Sequence, residues 1–213
     1  DDSVAIDVII TIFMLLFSIN FAVYFLLLTR KWREALASDE LRFFLSVVVG
    51  ATAIITLFNL SVYDHIGDSL RYAAFQVAAI ISTTGFGTAD FVLWPQFSQV
   101  IIILLMFCGA SAGSTGGGMK CSRVLLLLRG IRREIHRITH PCSVEVVKLD
   151  GKLVSEATLH TLLVFLGAYV TTIFAAALII SLDGCSFDVS FSPALTCVSN
   201  LGPGLEAIGP SGN

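Results

Sequence analysis

Residues 82–90 read Ser-Thr-Thr-Gly-Phe-Gly-Thr-Ala-Asp, a polar stretch that lies between two apolar segments. The pattern predicts a short helix over residues 70–81 before it, with Asp68 and Ser69 as the cap. A helix of that size measures about 18 Å, which is too short for the roughly 30 Å of hydrocarbon in a bilayer. A longer apolar run follows over residues 94–107. Because non-helical backbone at membrane depth must be buried in protein or line water, this order predicts a re-entrant pore loop.

The composition is that of an integral membrane protein. Of the 213 residues, 55% are hydrophobic and 14% are charged, and the mean hydropathy is +0.86. Soluble domains carry about 25% charged residues. The net charge of −3 gives no indication of nucleic-acid binding, and the Cys and His spacings predict no metal site and no organic cofactor. We expect the cysteines to be small apolar residues, although a bond between Cys185 and Cys197 stays open.

Apolar segments that can cross the membrane recur along the chain, and the third of them is interrupted. Basic residues at 30–33 and at 129–137 place the neighbouring segment ends on the cytoplasmic side. Residues 144–153 alternate and contain Asp150-Gly151, which predicts a short cytoplasmic hairpin. Ser38 is the predicted N-cap of the second segment. The predicted segments are residues 4–28, 41–63, 94–107 continuing at 121–133, and 157–182.

The pattern of the first loop returns later in the chain. Ser192 and Pro193 predict the start of a second short helix over residues 194–199, and Asn-Leu-Gly-Pro-Gly follows at 200–204. We therefore interpret the fold as an all-α integral membrane fold of repeated helix–pore loop–helix units, and the chain as part of a longer protein. Residues 1–34 close a preceding unit, 38–138 form a complete unit, and 139–213 contain a hairpin, a transmembrane helix, a pore helix and a second loop.

The two glycine loops have the chemistry of an ion filter. A filter replaces the hydration shell of an ion with backbone carbonyl oxygens, and glycine removes the cost of the backbone conformations that turn successive carbonyls inward. The negative end of the first short helix points at its loop, which favours a cation. A plain turn role for each glycine is the alternative. The predicted carbonyl ligands belong to Thr83, Thr84, Gly85, Phe86, Asn200, Leu201, Gly202 and Pro203, with Thr84, Gly85, Leu201 and Gly202 as the main ion contacts.

A further glycine-rich segment, residues 109–120, interrupts the third apolar segment. Each glycine costs a helix about 1 kcal/mol relative to alanine, so the helix is predicted to break there. A phosphate-binding loop needs G-x-x-x-x-G-K-[ST], but Met119 stands where the lysine belongs and no strand precedes the motif. A flexible kink without a gating role is another alternative. Lys120 either holds carbonyls in a gate or extends to the inner interface.

These motifs together resemble the Trk/Ktr/HKT potassium transporters, in particular their bacterial Trk-type membrane subunits. The resemblance rests on the motifs at 82–86, 113–120 and 200–204 and covers essentially the whole chain. It implies that four units surround one potassium-channel-like pore, with one selectivity glycine per loop, here Gly85 and Gly202. It also implies a gate below the filter, formed here by Gly109, Gly113, Ser114, Gly116, Gly117, Gly118 and Lys120.

The resemblance implies uptake of K+ across the bacterial inner (cytoplasmic) membrane, with no catalytic step. It further implies contact with membrane lipid, a homodimer, and a cytoplasmic nucleotide-binding regulatory subunit that docks on the basic inner face. Only two filter loops are recognisable, so we expect the rest of the protein to be needed for a pore. The residues leave two other functions open: a secondary transporter with a solute and ion site at the broken helix, and a non-transporting assembly subunit. Channel and ion-coupled symport are not distinguished.

Overall fold

The computed structural model describes residues 3–140, 146–184 and 186–202. These ranges are mostly helical, which confirms the predicted all-α class. The elements are α1 (Val4–Phe17), α2 (Phe21–Leu28), α3 (Trp32–Ala37), α4 (Asp39–Asn59), α5 (Ile66–Ile81), a 3₁₀ turn (Phe91–Leu93), α6 (Gln96–Cys108), α7 (Cys121–Thr139), β1 (Lys148–Leu149), β2 (Lys152–Leu153), α8 (Glu156–Ser181) and α9 (Phe187–Val198). Both α4 and α8 are long and apolar enough to cross a membrane, and the bent pair of α1 and α2 adds a third span if counted as one.

The first apolar segment is broken in its middle. The axes of α1 and α2 meet at 90° across residues 18–20, so the prediction of one continuous helix over residues 4–28 is wrong. Asn20 starts the second helix, because its Oδ1 accepts a hydrogen bond from Ala22 N at 2.9 Å. Ser18 donates to the carbonyl of Met14 at 2.6 Å at the end of the first helix. The polar residue that interrupts this apolar segment is therefore a helix cap.

The long helices agree with the predicted segments better than the short helix α5 does. Ser38 stands at the N-cap position of α4, although its side chain makes no capping hydrogen bond. Helix α5 begins at Ile66 rather than at residue 70, so Asp68 and Ser69 lie inside it and do not cap it. Ser69 instead donates to the carbonyl of Thr56 at 2.9 Å. This buried bond connects α5 to α4.

Helix α9 also begins earlier than predicted. It starts at Phe187 after Ser186, and the predicted start at Ser192 and Pro193 is wrong because Pro193 lies inside the helix. A proline in a helix interior removes one backbone hydrogen bond. However, α9 packs along α8 and buries Leu195. Packing against the neighbouring helix thus outweighs the local preference of proline for a helix start.

One apolar core joins the two predicted units. Helices α4, α5 and α6 contribute to it from the complete unit, and α8 and α9 contribute from the following unit. The outer faces of the same helices expose large apolar side chains, as expected for a surface in contact with lipid. Core residues include Phe44, Ile55, Ile80, Ile102, Met106, Ile173 and Leu195, and exposed ones include Val49, Leu57, Leu104, Leu163 and Leu178.

A buried ion pair connects α5 to α1. Arg71 Nη1 lies 3.4 Å from Asp7 Oδ2, and the two side chains are only 15% and 10% exposed. The same guanidinium lies 3.4 Å from Asp68 Oδ1 and donates to Tyr72 Oη at 2.8 Å. Removing one partner of a buried pair leaves an uncompensated charge. The segment predicted to close the preceding unit is therefore fixed to the complete unit by charge as well as by packing.

The predicted hairpin is confirmed over residues 148–153, whereas residues 144 and 145 lie outside the described ranges. Strands β1 and β2 are antiparallel, and Asp150 and Gly151 have φ of +50° and +75°, as a two-residue primed turn requires. Asp39 N donates to Asp150 Oδ1 at 2.6 Å, and Asp150 N donates to Asp39 Oδ2 at 3.0 Å. Arg129 also donates to Asp39 Oδ2 at 2.8 Å. This group of residues joins the hairpin to α4 and α7.

We expect Asp150→Ala to loosen the hairpin from α4. The substitution removes the acceptor of the Asp39 amide and places alanine at a positive φ, which costs about 1–2 kcal/mol in total. Asp150→Asn is the matched control, because asparagine keeps an acceptor oxygen and tolerates this backbone region. Limited proteolysis between residues 140 and 155 measures the effect. Equal cleavage rates for the two variants would contradict the assignment.

Candidate functional site

The first glycine loop turns back onto the end of α5. The amides of Thr83 and Thr84 donate to the carbonyls of Ile80 and Ala79 at 3.1 and 3.0 Å. Thr83 and Gly85 have φ of +57° and +78°, a region that costs an L-residue roughly 1–2 kcal/mol. Within the described part of the chain, no hydrogen bond uses the carbonyl oxygens of residues 83–85. The backbone donors of this loop are therefore bonded to the helix end, and its carbonyl acceptors have no hydrogen bond within the described residues.

The second glycine loop has the same backbone arrangement at the end of α9. The amides of Asn200 and Leu201 donate to the carbonyls of Cys197 and Thr196 at 3.1 and 2.8 Å. Asn200 and Gly202 have φ of +60° and +102°. Asn200 thus corresponds to Thr83 of the first loop, and Gly202 corresponds to Gly85. The repeat predicted from the sequence is confirmed in hydrogen bonds, while Pro203 lies outside the described residues.

Serine side chains support both loops, a feature that the sequence analysis missed. The hydroxyl groups of Ser82 and Thr84 are 2.6 Å apart, and Ser82 Oγ also donates to the carbonyl of Ala79 at 3.2 Å. At the second loop, Tyr169 Oη of α8 lies 2.6 Å from Ser199 Oγ. Ser82 and Ser199 hold the same position before their loops. That shared serine was visible in the sequence and signals the repeat as well as the glycines do.

Among the described residues of the predicted filter, Phe86 is the one with an exposed large apolar side chain. Its ring is 55% exposed, whereas Leu201 is buried. With Phe13 and Phe17 of α1, the ring lines an open cleft of about 500 Å³ beside the first loop. The backbone of Phe86 remains a predicted ligand, but its side chain belongs to an apolar surface.

The predicted break of the third segment is confirmed between α6 and α7. Residues 109–120, called here the 109–120 loop, begin at Gly109 with φ of +67° and end at Lys120 with φ of +77°. A Cβ on Gly109 would lie 2.9 Å from the carbonyl oxygen of Gly117, and one on Gly118 would lie 3.3 Å from Gly109 Cα. The two ends of the loop thus meet at a narrow neck. Cys108 and Cys121, with Sγ atoms 3.4 Å apart, flank this neck.

The 109–120 loop lies directly against both glycine loops. A Cβ on Gly116 would come within 2.9 Å of the carbonyl oxygen of Ser82, and one on Gly117 would come within 2.8 Å of Asn200 Cβ and 3.1 Å of the Ser199 carbonyl oxygen. The amide of Gly117 donates to Thr83 Oγ1 at 2.6 Å. The structure therefore brings the residues predicted as filter and as gate into one site.

The remaining predicted gate residues lie inside the same loop. Lys120 Nζ donates to the carbonyl of Gly116, so the lysine side chain folds back into the loop instead of extending away from it. Ser114 Oγ donates to the carbonyl of Ser111 at 2.6 Å. Gly113 has φ of +70° and contacts the side chain of Asn20 at the break between α1 and α2. A helix, and not a strand, precedes the loop, which agrees with the argument against a phosphate-binding loop.

Comparisons with known proteins show the family to which the chain belongs. The TrkH family model, described as a cation transport protein, matches residues 1–209 of the chain. The chain belongs to the TrkH family. Two similar members are the Trk system potassium uptake protein TrkH of Salmonella typhimurium, 34% identical over 97% of this chain, and TrkG of Escherichia coli K12, 31% identical over 93%. The resemblance read from the sequence is confirmed.

A solved TrkH structure has the same fold. The crystal structure of the potassium transporter TrkH from Vibrio parahaemolyticus aligns with a TM-score of 0.90 and 31% sequence identity over 100% of this chain. The chain spans less than half of each relative, 47% of that structure, 44% of Salmonella TrkH and 41% of TrkG.

Gly116→Ala should strain the contact between the 109–120 loop and the first glycine loop. The new Cβ would lie 2.4 Å from Ala110 Cβ and 2.9 Å from the Ser82 carbonyl oxygen, and overpacking of this kind costs about 1–3 kcal/mol. Gly130→Ala in α7 is the matched control, because nothing lies within 4 Å of its Cβ position. Thermal unfolding in detergent should show a lower midpoint for Gly116→Ala than for wild type. The midpoint of the Gly130→Ala control should not be lowered. Equal midpoints would contradict the close contact.

Proposed function

We propose that the complete protein takes up potassium ions across the bacterial inner membrane through a filter of backbone carbonyls. The observation that carries this proposal is the pair of glycine loops with equivalent hydrogen bonds, each at the end of a short helix. No bond is made or broken in this activity, so the protein is a transporter and not an enzyme.

The ion binds to carbonyl oxygens of the two loops. The donors of each loop are committed to its helix, and the carbonyls of residues 83–85 stay free within the described ranges. The C-terminal ends of α5 and α9 add a partial negative charge of about half an elementary charge each. Gly85 and Gly202 are the selectivity positions, with Thr84 and Leu201 as the main neighbouring ligands. Thr83, Asn200, Phe86 and Pro203 contribute carbonyls at the edges.

The names of the relatives favour K+ as the transported ion. Their names are those of potassium uptake proteins, and a carbonyl filter replaces the hydration shell of such an ion. We infer that K+ is the transported ion and that no organic cofactor takes part.

The 109–120 loop is the gate in this proposal. It touches both glycine loops through Gly116 and Gly117, so an ion leaving the filter on that side meets it first. The bond from Lys120 to the Gly116 carbonyl keeps a positive charge at the same place, which opposes the passage of cations. A flexible kink with no gating role is less consistent with a loop that packs against both glycine loops and bonds to Thr83.

The proposed partners are membrane lipid, a cytoplasmic regulatory subunit and a second copy of the protein. The exposed apolar residues of α4, α6 and α8 face membrane lipid. The basic residues of α7, among them Arg132 and Arg137, form an inner face for a cytoplasmic nucleotide-binding regulatory subunit. A homodimer completes the proposed assembly.

The break between α1 and α2 favours one alternative, a secondary transporter. Broken helices in such proteins bind a small solute and a coupling ion near the membrane midplane, and the 90° bend at residues 18–20 is a second break beside the 109–120 loop. A strict requirement for an organic solute in transport would distinguish this function from ion uptake alone.

Rubidium uptake into proteoliposomes that contain the complete protein tests the proposed function. Wild type should take up rubidium against excess sodium, and Gly85→Ser should lower this preference, because a side chain at a φ of +78° displaces the carbonyl oxygens beside it. Gly167→Ser in α8 is the matched control, because nothing lies within 4 Å of the Gly167 Cβ position. If Gly85→Ser keeps the preference of wild type, Gly85 is a turn residue and the secondary transporter becomes the better proposal.

A further inference from the structure

Glu40 is a buried acid that the sequence pattern presents as an ordinary first-turn residue of α4. Its exposed fraction is 6%, whereas acids in the first turn of a helix normally interact with the helix dipole from the surface. Glu40 Oε1 accepts a hydrogen bond from the amide of Ala112 at 2.6 Å. Ala112 lies inside the 109–120 loop, so a carboxylate of one helix is committed to the backbone of this loop.

The second carboxylate oxygen of Glu40 faces the break between α1 and α2. Asn20 Nδ2 lies 3.5 Å from Glu40 Oε2. The orientation of the Asn20 amide is set by its other atom, because Oδ1 caps α2 through Ala22 N at 2.9 Å. Asn20 Oδ1 also lies 3.0 Å from the Cβ position of Gly113. Glu40, Asn20 and the 109–120 loop therefore form one connected group.

Backbone hydrogen bonds run beside this group. The amide of Phe21 donates to the carbonyl of Gly113 at 3.1 Å, and the amide of Ser111 donates to the carbonyl of Ser18 at 3.1 Å. The amide of Thr115 reaches the carbonyl of Phe17 at 3.3 Å. The loop is thus attached on one side to the break between α1 and α2, and on the other side to the glycine loops.

We propose that Glu40 is a positioning residue that holds the 109–120 loop in its place beneath the glycine loops. The inference rests on the proposed gating function of that loop. A bond from an amide to a carboxylate is roughly twice as strong as one between neutral groups, and this one lies in a buried site. Movement of Ala112 away from α4 must break this bond. The Glu40 bond therefore sets how long the loop stays in the position that the structure shows.

The test exchanges the carboxylate of Glu40 and the amide of Asn20 between the two positions. Glu40→Gln keeps one acceptor for the Ala112 amide but turns an NH₂ group toward the NH₂ group of Asn20. Asn20→Asp keeps the cap on Ala22 but places two carboxylates face to face. The double variant E40Q/N20D restores the contact between the two positions, because the new amide at position 40 donates to the new carboxylate at position 20. The Ala112 amide still donates to a neutral oxygen in this variant. Glu34→Gln, at a surface residue with 61% exposure, is the control.

Two measurements are made on the complete protein without its regulatory subunit. Hydrogen–deuterium exchange of peptides covering residues 109–120 reports attachment of the loop, and rubidium uptake into proteoliposomes reports flux. We expect Glu40→Gln to speed exchange and raise uptake, each about fivefold, since the bond to a neutral acceptor is weaker. The double variant should recover part of both changes, because it restores the contact with position 20 but not the charged acceptor of the Ala112 amide. Glu34→Gln should change neither.

The inference is overturned if Glu40→Gln changes neither the exchange of residues 109–120 nor rubidium uptake. It is also overturned if exchange and uptake in the double variant differ from wild type as much as they do in the single variants. If Glu40→Gln does not fold, the comparison of Asn20→Asp with the double variant decides, because restoration of exchange and uptake by the second change supports the contact. These results can be distinguished from a failure of the proposed potassium filter. Wild type with a rubidium preference and an unchanged Glu40→Gln variant overturns the role of Glu40 alone, whereas wild type without that preference overturns the proposed function.

Discussion

The site depends on the close approach of three pieces of backbone. Gly116 and Gly117 lie where any Cβ would come within 2.9 Å of an atom of the first loop or of the second loop. The contact exists because these residues have no side chain, and it allows one loop to touch both glycine loops at the same time. Helix ends, serine supports and the apolar core all serve to bring these three segments together.

The contacts on the two sides of the 109–120 loop differ in kind. Toward the glycine loops they are mostly steric, and over the residues that the structure describes they include one hydrogen bond, from the Gly117 amide to Thr83. Toward the break between α1 and α2 they are polar, and they include the buried carboxylate of Glu40. Steric contacts are lost as soon as a loop moves, whereas hydrogen bonds in a buried site resist the first movement. In the proposed gating role, this arrangement would hold the loop in one position and let it move without displacing the glycine loops.

The sequence alone predicted the parts of the structure that depend on local composition. The glycines of residues 109–120 break a helix wherever they occur, and Asp150-Gly151 forms its turn from local preferences. The start of α9 was missed because Pro193 is tolerated only through packing against α8. The roles of Glu40 and Asn20 were missed for a related reason. Their partners lie in other segments of the chain, and neither residue carries a local signal that distinguishes it from a helix-start acid or an isolated polar residue.

The order of the segments along the chain has a consequence for biogenesis. The ribosome completes α6 and the 109–120 loop long before α9, yet Gly117 rests on Ser199 and Asn200 at the end of α9. Irregular backbone facing lipid costs several kcal/mol for each unsatisfied polar group. During synthesis the loop must therefore remain in the aqueous part of the translocon or against other protein until the later segment arrives. We therefore expect the segment from α4 to α7 to reach its final arrangement only after α9 has been synthesised.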